Sequence, residues 1–313
     1  MLNLLKSLAD PSRLRLTAVL LRGEFTVQEL THIFGMGQSR ISRHLKILTE
    51  AGVLTVKRQG TWNYYRVGDG NAFFNVIRPA FELELDSLPE RGQDIGAVAA
   101  VLEERRQRSR EFFDRHARQW DDLARTLLPV PEYRPRLLEQ VPEGITVLEI
   151  GTGTGSLLAD LAVRSAKVIG VDHSPAMLEE ARHRLMDGGV NGVELRLGEM
   201  THLPLPDASV GCVVANMVLH HAADPAEVLT EVLRVLGPDG VLLLADLSRH
   251  EREAVREQLA DQWLGFEEGE LHDWLTVAGF QSIEIEKVGA AAGQEHVLLV
   301  RSVKPHLDET STL

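Results

Sequence analysis

Three glycines at alternate positions and one later aspartate are the residues whose spacing most clearly indicates chemistry. Gly151, Gly153 and Gly155 follow the apolar stretch TVLEI in the segment EIGTGTG. Glycines at such a turn let the backbone approach a ligand closely, because no Cβ atom intervenes. Asp172 ends the next apolar stretch, KVIGVD, about 20 residues later, where a carboxylate accepts hydrogen bonds from ribose hydroxyls. Together these signals predict a site for an adenosine-containing ligand.

The glycine pattern also argues against a dinucleotide as the adenosine-containing ligand. A dinucleotide-binding turn of the form GxGxxG needs glycine at position 156, which is Ser156 here. The chain around the turn alternates short apolar strands with helices, which predicts an open, mostly parallel α/β sheet of Rossmann-like architecture. The predicted strands are TVLEI, KVIGVD, VELRLG, VGCVVAN and VLLLAD, and the predicted helices cover 157–164, 176–186, 225–236 and 270–278. Two final strands, 282–287 and 296–302, are joined too briefly for a crossover and must be antiparallel.

A second group of polar residues lies near the start of the chain. In the segment QSRISRHLKILTEAG, Ile41, Leu45 and Leu48 form one apolar helix face. A shorter helix precedes it, and a strand pair turning at Gln59-Gly60 follows it, so the order predicts an α+β winged helix-turn-helix. Ser12 and Thr26 are the predicted caps of the two earlier helices. The predicted DNA-binding residues are Gln38, Ser39, Arg40, Ser42, Arg43, His44 and Lys46 on the recognition helix, with Lys57 and Arg58 in the wing.

Charge distribution supports this division. Residues 1–70 hold ten Lys or Arg against five Asp or Glu, whereas the rest of the chain has a net charge of −18. A positive end on an acidic chain is typical of a polyanion-binding module joined to another domain. The sequence has 313 residues and a single cysteine, Cys212, which excludes an intramolecular disulfide and a zinc–thiolate cluster. No membrane partner and no secretion signal are predicted, and the expected location is cytoplasmic.

The N-terminal segments ADPSRLRLTAVL and QSRISRHLKILTEAGVLTVKRQGTWNYYRV resemble the ArsR family of winged-helix repressors over about residues 1–85. The resemblance implies a homodimer that binds an inverted-repeat operator in double-stranded DNA. The residues it assigns to the dimer surface are Leu2, Leu4, Leu5, Leu8, Ala72, Phe73, Phe74, Ile77, Phe81 and Leu85. Many relatives sense metals through cysteines, but residues 25–30 contain none here and residues 71–90 contain no histidine. We therefore predict no metal.

Residues 147–301 resemble class I S-adenosylmethionine-dependent methyltransferases in LEIGTGTG, VIGVDHSPAMLEEAR, LGEMTHLPLPDAS, VVANMVLHH and EVLRVLGPDGVLLLAD. The resemblance implies S-adenosylmethionine or S-adenosylhomocysteine as the ligand. By that likeness the loop and Glu149 hold its amino-acid end, Asp172 its ribose, and Asn216 faces its sulfur. The implied binding residues are Glu149, Gly151, Thr152, Gly153, Gly155, Asp172, His173, Met177, Gly198, Glu199, Met200 and Asn216. His220 and His221 are either a surface feature of a helix start or bases for a methyl acceptor.

The predicted domains are residues 1–88 for DNA binding and dimerisation, 89–135 for a linker and connecting helix, 136–304 for the methyltransferase-like domain, and 305–313 for a tail. Within the connecting helix, Phe112, Phe113, His116 and Trp120 recur at helical spacing. They either pack on the next domain or form a lid over its ligand, which adds Phe113 and Trp120 to the predicted ligand contacts.

Two functions remain open at this stage. The combination resembles ArsR-family repressors that respond to S-adenosylhomocysteine in control of methyl-cycle genes. The alternative is an active small-molecule methyltransferase with an autoregulatory DNA-binding domain. No Asn-Pro-Pro-Tyr motif identifies an acceptor, and one cysteine cannot supply the several thiolates of arsenic methylation. The catalytic residues are therefore unassigned.

Overall fold

The chain folds into two compact units. The computed structural model describes residues 1–68, 70–85, 87–289, 291 and 294–306. Contacts between residues divide the chain into Met1–Arg105 and Arg106–Leu313. This boundary falls inside the predicted connection of residues 89–135, and the four predicted domain limits stay a prediction. Most of the predicted tail, residues 307–313, lies outside the described residues.

The first unit is a winged helix-turn-helix, as the sequence predicts. Its elements are α1 (Leu2–Leu8), α2 (Pro11–Leu20), β1 (Phe25–Thr26), α3 (Val27–Phe34), α4 (Gln38–Glu50), β2 (Leu54–Gln59), β3 (Trp62–Val67), α5 (Ala72–Leu85) and the start of α6 (Arg91–His116). The strands form an antiparallel sheet in the order β1-β3-β2. The apolar face of α4 is fully buried through Ile41, Leu45 and Leu48, which fixes its polar face outward.

Helix capping confirms one of the two predicted caps. Thr26 Oγ1 accepts from the Glu29 backbone amide at 3.3 Å, and the Glu29 carboxylate accepts from the Thr26 amide at 2.8 Å. This is a reciprocal capping box. The prediction of Ser12 as the cap of α2 is wrong, because Asp10 accepts from the Arg13 amide at 3.1 Å and Pro11 already occupies the first helical turn.

Several residues assigned to the dimer surface instead stabilise the unit's own core. The buried members of that set are Leu4, Leu8, Phe74 and Leu85, and the first three pack in one core with residues of α2 and α4. Leu2, Leu5 and Phe73 remain exposed. Residues next to each other in a helix point to different sides of it. The prediction therefore placed residues from two opposite faces of α1 and α5 on one dimer surface.

Helix α6 occupies most of the start of the predicted linker and connecting helix of residues 89–135. The helix begins at Arg91 and continues without interruption to His116. Arg15 forms two hydrogen bonds of 2.8 and 2.6 Å to the buried carboxylate of Asp94. Arg105 donates to Glu29 at 2.8 Å. These buried ion pairs fix the first part of α6 within the first unit, and Gly92 and Gly96 are accommodated as helical residues.

The second unit contains the predicted α/β sheet. Its elements after α6 are α7 (Trp120–Leu127), α8 (Arg134–Glu139), β4 (Thr146–Ile150), α9 (Leu158–Arg164), β5 (Lys167–Asp172), α10 (Pro175–Asp187), β6 (Val193–Leu197), β7 (Val210–Asn216), α11 (Pro225–Val235), β8 (Leu236–Leu247), α12 (Val255–Gln258), α13 (Glu268–Ala278), β9 (Gln281–Val288) and β10 (Val297–Val303), with short 3₁₀ turns at Ala117–Gln119 and Leu219–His221.

The strand order is β6-β5-β4-β7-β8-β10-β9. The pairs from β6 to β8 are parallel, and β10 pairs antiparallel with both β8 and β9, as predicted. Cys212 lies fully buried in β7, and burial raises the pKa of its thiol to about 12. Parallel order brings the carboxyl ends of β4, β5, β7 and β8 to one edge, where ligands bind in such sheets. Among the described residues, no helix has the length and apolar character to cross a membrane.

Candidate ligand site and nucleic-acid interface

The glycine loop after β4 has the conformation that requires glycine. Gly151, Gly153 and Gly155 have φ values of +61°, +53° and +73°. A Cβ atom on Gly151 would lie 2.0 Å from Val218 Cγ2, so that position is closed by packing. At Gly153 no heavy atom of the described residues lies within 4 Å of such a Cβ, and Gly153 lines two adjoining cavities. The loop therefore leaves open space at Gly153, as the passage of a ligand along the backbone requires.

Asp172 is held against this loop at the end of β5. Its Oδ2 accepts from the Gly153 amide at 2.8 Å, and its Oδ1 accepts from the Ser174 amide at 2.9 Å. Burial raises the pKa of the carboxyl group, whereas His173 and these amides lower it. Each carboxylate oxygen has a second lone pair, so Asp172 can also accept from ribose hydroxyls.

Glu149 lies buried at the end of β4, facing a cavity of about 690 Å³. Its Oε2 accepts from the Thr152 hydroxyl at 2.5 Å. Burial raises the pKa of Glu149 to about 8, against the opposing effects of Thr152 and of Arg134. A ligand ammonium group would supply a positive charge beside this carboxyl group. Arg134 lines the same cavity and offers a cation for a ligand carboxylate.

A smaller cavity of about 50 Å³ adjoins the loop on the side of β5. The sequence-predicted residues that line it are Gly151, Gly153, Asp172, His173, Met177, Met200, Phe113 and Trp120. Phe113 packs edge-to-face on Trp120 and on His221, with ring centroids 4.9 Å apart in each pair. Known ligand pockets measure about 300–1,000 Å³, so the rings of Phe113 and Trp120 line a cavity well below that size.

Three of the predicted ligand residues do not line either cavity. Gly155 packs against α10, where a Cβ atom on it would lie 3.0 Å from Ala181 Cβ. Gly198 is closed by the ring of Pro204, 2.5 Å from its Cβ position. Glu199 is held by His173 and Arg110, which outweigh burial and lower its pKa to about 2. Glu199 lines a separate recess beside the smaller cavity.

Sequence reasoning missed a buried hydroxyl in the larger cavity. Tyr133 donates to Asn216 Oδ1 at 2.7 Å, and both residues line that cavity. Burial raises the pKa of Tyr133 to about 12, so it remains a hydrogen-bond donor at neutral pH. Tyr133 precedes a short helix far from the glycine motif in sequence, and no local pattern marks it.

The adjacent histidines are buried, which removes the interpretation that they form a surface feature. His220 Nδ1 lies 2.6 Å from Asp246 Oδ1. Burial alone lowers the pKa of His220, but Asp246 and Asp261 outweigh it and raise the pKa to about 9. Burial lowers the pKa of His221 and raises that of Asp261 to about 7. Asp246 lies one residue before the end of β8, much as Asp172 ends β5, and this position could have been used as a signal, whereas Asp261 follows an irregular segment.

In the first unit, α4 presents the polar face expected of a recognition helix. Its exposed predicted residues are Gln38, Ser39, Arg40, Ser42, Arg43 and Lys46. His44 is half-buried, and burial lowers its pKa. In the wing, Arg58 is exposed, but the side chain of Lys57 is only 11% exposed and lies 3.9 Å from Glu24. Lys57 is therefore oriented inward by this ion pair rather than outward toward phosphate.

Fold and site together define a protein that joins a winged helix-turn-helix to an α/β unit of Rossmann-like architecture. Family models agree: residues 10–56 match the bacterial regulatory protein, arsR family, and residues 148–244 match a methyltransferase domain. The chain is 31% identical over 188 residues to a demethylmenaquinone methyltransferase of Clavibacter sepedonicus, which covers 52% of this chain and 74% of that protein. The chain therefore belongs to the S-adenosylmethionine-dependent methyltransferase family and carries an arsR-family DNA-binding domain.

Other relatives match in part. An arsenite methyltransferase of Halobacterium salinarum is 33% identical over 160 residues, which cover 48% of this chain and 41% of the relative. An uncharacterized 37.1 kDa protein in a Streptomyces fradiae transposon is 42% identical over 106 residues, 33% of this chain. The chain spans 30% and 41% of the length of these two relatives.

Solved structures show the same fold for the second unit. A chain of the Haloferax volcanii complex between a methyltransferase and its activator aligns with a TM-score of 0.52 at 22% identity, covering 62% of this chain and 98% of that one. An S-adenosylmethionine-dependent methyltransferase of Thermotoga maritima aligns with a TM-score of 0.50 at 24% identity, covering 63% and 99%.

Proposed function

We propose that the chain is a DNA-binding transcriptional repressor whose methyltransferase domain binds S-adenosylhomocysteine or S-adenosylmethionine and thereby regulates operator binding. The arsR-family and methyltransferase domains support the two halves of this proposal. The control of methyl-cycle genes, the homodimer and the inverted-repeat operator are parts of the same proposal.

The ligand would be held along the edge of the sheet. Asp172 accepts from the ribose hydroxyls, and Met177, His173 and Met200 surround the adenine. At the other end, Glu149 accepts from the ligand's ammonium group, and Arg134 donates to its carboxylate. The open space at Gly153 and the buried carboxyl group of Glu149, whose raised pKa a ligand ammonium group would lower, are the features that fit this ligand.

One observation carries the regulatory proposal. Phe113, which fills the nucleoside end of the site, belongs to α6, and the same helix begins at Arg91 in the DNA-binding unit. Entry of a nucleoside requires Phe113 and Trp120 to move, and a continuous helix passes such a displacement along its length. A coupling free energy of about 1–3 kcal/mol would change operator affinity roughly 5- to 150-fold.

An enzymatic function is the second candidate. The cavity of about 690 Å³ extends beyond Glu149 to Asn216, Leu259 and Gln294, which leaves room for a methyl acceptor. Methyl transfer needs mainly alignment of acceptor and sulfonium in a protected pocket. The relatives named as methyltransferases favour this candidate as well.

The decisive experiment measures DNA affinity and ligand affinity in the same protein. Operator duplexes selected from random DNA are titrated by fluorescence anisotropy with and without each nucleoside, and ligand binding is followed by calorimetry. Asp172→Ala should abolish the ligand response, whereas Asp187→Ala, an exposed aspartate on α10, should preserve it. Charge reversal at Arg40 and Arg43 should abolish DNA binding and spare ligand binding.

Three results would count against the regulator. Ligand binding that leaves operator affinity unchanged would reject the coupling. An undiminished response in Asp172→Ala would reject the site. Transfer of a labelled methyl group to an endogenous metabolite, with no effect on DNA binding, would establish the enzyme instead.

A further inference from the structure

We propose that His220, His221 and Asp261 bind one divalent first-row transition metal ion, such as Zn²⁺, beside the larger cavity, which His220 and Asp261 line. One ring nitrogen of each histidine and one carboxylate oxygen of the aspartate lie within 4.8 Å of one another. Asp261 Oδ1 is 3.8 Å from His220 Nε2 and 3.7 Å from His221 Nδ1. Two imidazoles and one carboxylate are a ligand set of protein zinc sites that keep an open position.

The surroundings of His220 resemble the outer sphere of a metal site. His220 Nδ1 donates to Asp246 Oδ1 at 2.6 Å. Asp246 is itself fixed by the backbone amides of Leu219 and Leu247, at 2.8 and 2.7 Å. With Nδ1 committed to this carboxylate, Nε2 is the atom directed toward Asp261, and a metal ion there would take the place of a proton. Histidine ligands commonly donate their other ring nitrogen to a carboxylate in this way.

His221 also retains a nitrogen for coordination. Its Nδ1 has a long contact of 3.3 Å with the Ala260 carbonyl, and its Nε2 is buried without a hydrogen-bond partner among the described residues. The ring centroids of His220 and His221 are 4.0 Å apart, so both imidazoles border the same small volume. His221 Nδ1 already lies 3.7 Å from Asp261 Oδ1, so it is the His221 nitrogen that faces the proposed ion.

Asp261 supplies the strongest observation. It is 3% exposed, lines the larger cavity, and neither carboxylate oxygen accepts a hydrogen bond from any residue that the structure describes. A buried carboxylate without such bonds is costly unless an ion compensates it. When the metal ion takes the place of the His220 proton, Asp246 and Asp261 contribute two negative charges, which the divalent cation neutralises. The nitrogen-rich ligand set favours Zn²⁺ or Co²⁺ over Mg²⁺ or Ca²⁺, and the cavity leaves a coordination position for a small molecule.

Cobalt spectroscopy tests the site directly. The full-length chain, freed of any affinity tag and treated with a chelator, is titrated with Co²⁺. We expect visible d–d absorption that saturates at one molar equivalent, is abolished by Zn²⁺, and is unaffected by Mg²⁺ or Ca²⁺. Asp261→Asn and His221→Gln should each weaken Co²⁺ binding by more than about 10-fold, and Asp246→Asn by about 10- to 100-fold.

A matched control keeps the result specific. His183 is an exposed histidine beside Glu179 on α10, and His183→Gln should leave the Co²⁺ titration unchanged. Circular dichroism identifies any variant that fails to fold, and because two ligand variants are tested, loss of one leaves the other decisive. Absorption at millimolar Co²⁺ that does not exceed that of aqueous Co²⁺, or equal binding by the parent, Asp261→Asn and His221→Gln proteins, would overturn the proposal. Neither result depends on nucleoside or DNA binding.

Discussion

A single methyl group at Gly153 should separate ligand binding from stability. Gly153 and Gly189 have φ values of +53° and +64°, and a Cβ atom at either position would have no described heavy atom within 4 Å. Alanine in this left-handed region costs about 1–2 kcal/mol. Gly153→Ala and Gly189→Ala should therefore lower the free energy of unfolding by similar amounts.

Their effects on ligand binding should differ. Gly153 lines both cavities and its amide donates to Asp172, whereas Gly189 lies in the exposed turn after α10. A methyl group at Gly153 would occupy the space along which a ligand passes and separate it from the loop. The loss of one hydrogen bond between the loop and a charged group of the ligand costs about 1.5–3 kcal/mol. This cost corresponds to a Kd for the ligand that is roughly 10- to 150-fold higher.

Calorimetric titration with S-adenosylhomocysteine, together with denaturant unfolding, measures both quantities. We expect weakened binding in Gly153→Ala and parental binding in Gly189→Ala at matched stability. Parental affinity in Gly153→Ala would refute the assignment of this loop to the ligand. Equal weakening in both variants would show that general destabilisation, and not the loop, controls binding.

Three further predictions concern buried groups. The pKa of Glu149 rises from an ordinary 4.5 to about 8 in the folded state, so the free energy of unfolding should fall by up to about 5 kcal/mol as the pH rises between these values. Glu149→Gln should remove this decline in urea unfolding. A pH profile that is the same in the variant and the parent would contradict the prediction. Phe113→Ala should lower the melting temperature, since such truncations cost about 3–5 kcal/mol, yet S-adenosylhomocysteine should raise it more than in the parent; a smaller ligand-induced shift would show that Phe113 holds the ligand instead. Asp94→Asn should destabilise the first unit by about 3–5 kcal/mol, because Arg15 loses a buried bidentate partner; chemical denaturation that matches the parent would contradict this.

The sequence predicts most reliably what short-range patterns determine. Gly151, Gly153 and Asp172 follow predicted strands, and parallel strand order alone brings them together at one sheet edge. The apolar period of α4 likewise determines which of its residues face outward. The winged helix, the α/β sheet and its terminal antiparallel pair follow from such local patterns.

What the sequence does not predict depends on distant partners. Lys57 has the charge and position of a phosphate contact, but its ion pair with Glu24 turns it inward. No local pattern marks Asp261 in the sequence. Only folding places it beside His220, which lies on the far side of a loop that a hydrogen bond from Trp263 to Ala222, 41 residues apart in the chain, closes. The prediction of no metal rested on the single cysteine and on residues of the first unit. It did not take His220 and Asp261 into account.

Burial of the lone thiol has a practical consequence. Cys212 is fully covered in the central strand β7 and its pKa is near 12, so it stays protonated and unreactive toward alkylating labels at neutral pH. A cysteine introduced at an exposed position of α4 would thus be the one site that a spin label modifies in the native chain. Pulsed electron resonance on the labelled chain could then test for the proposed homodimer and read the separation of its two recognition helices, with and without nucleoside, against no background from the natural sequence.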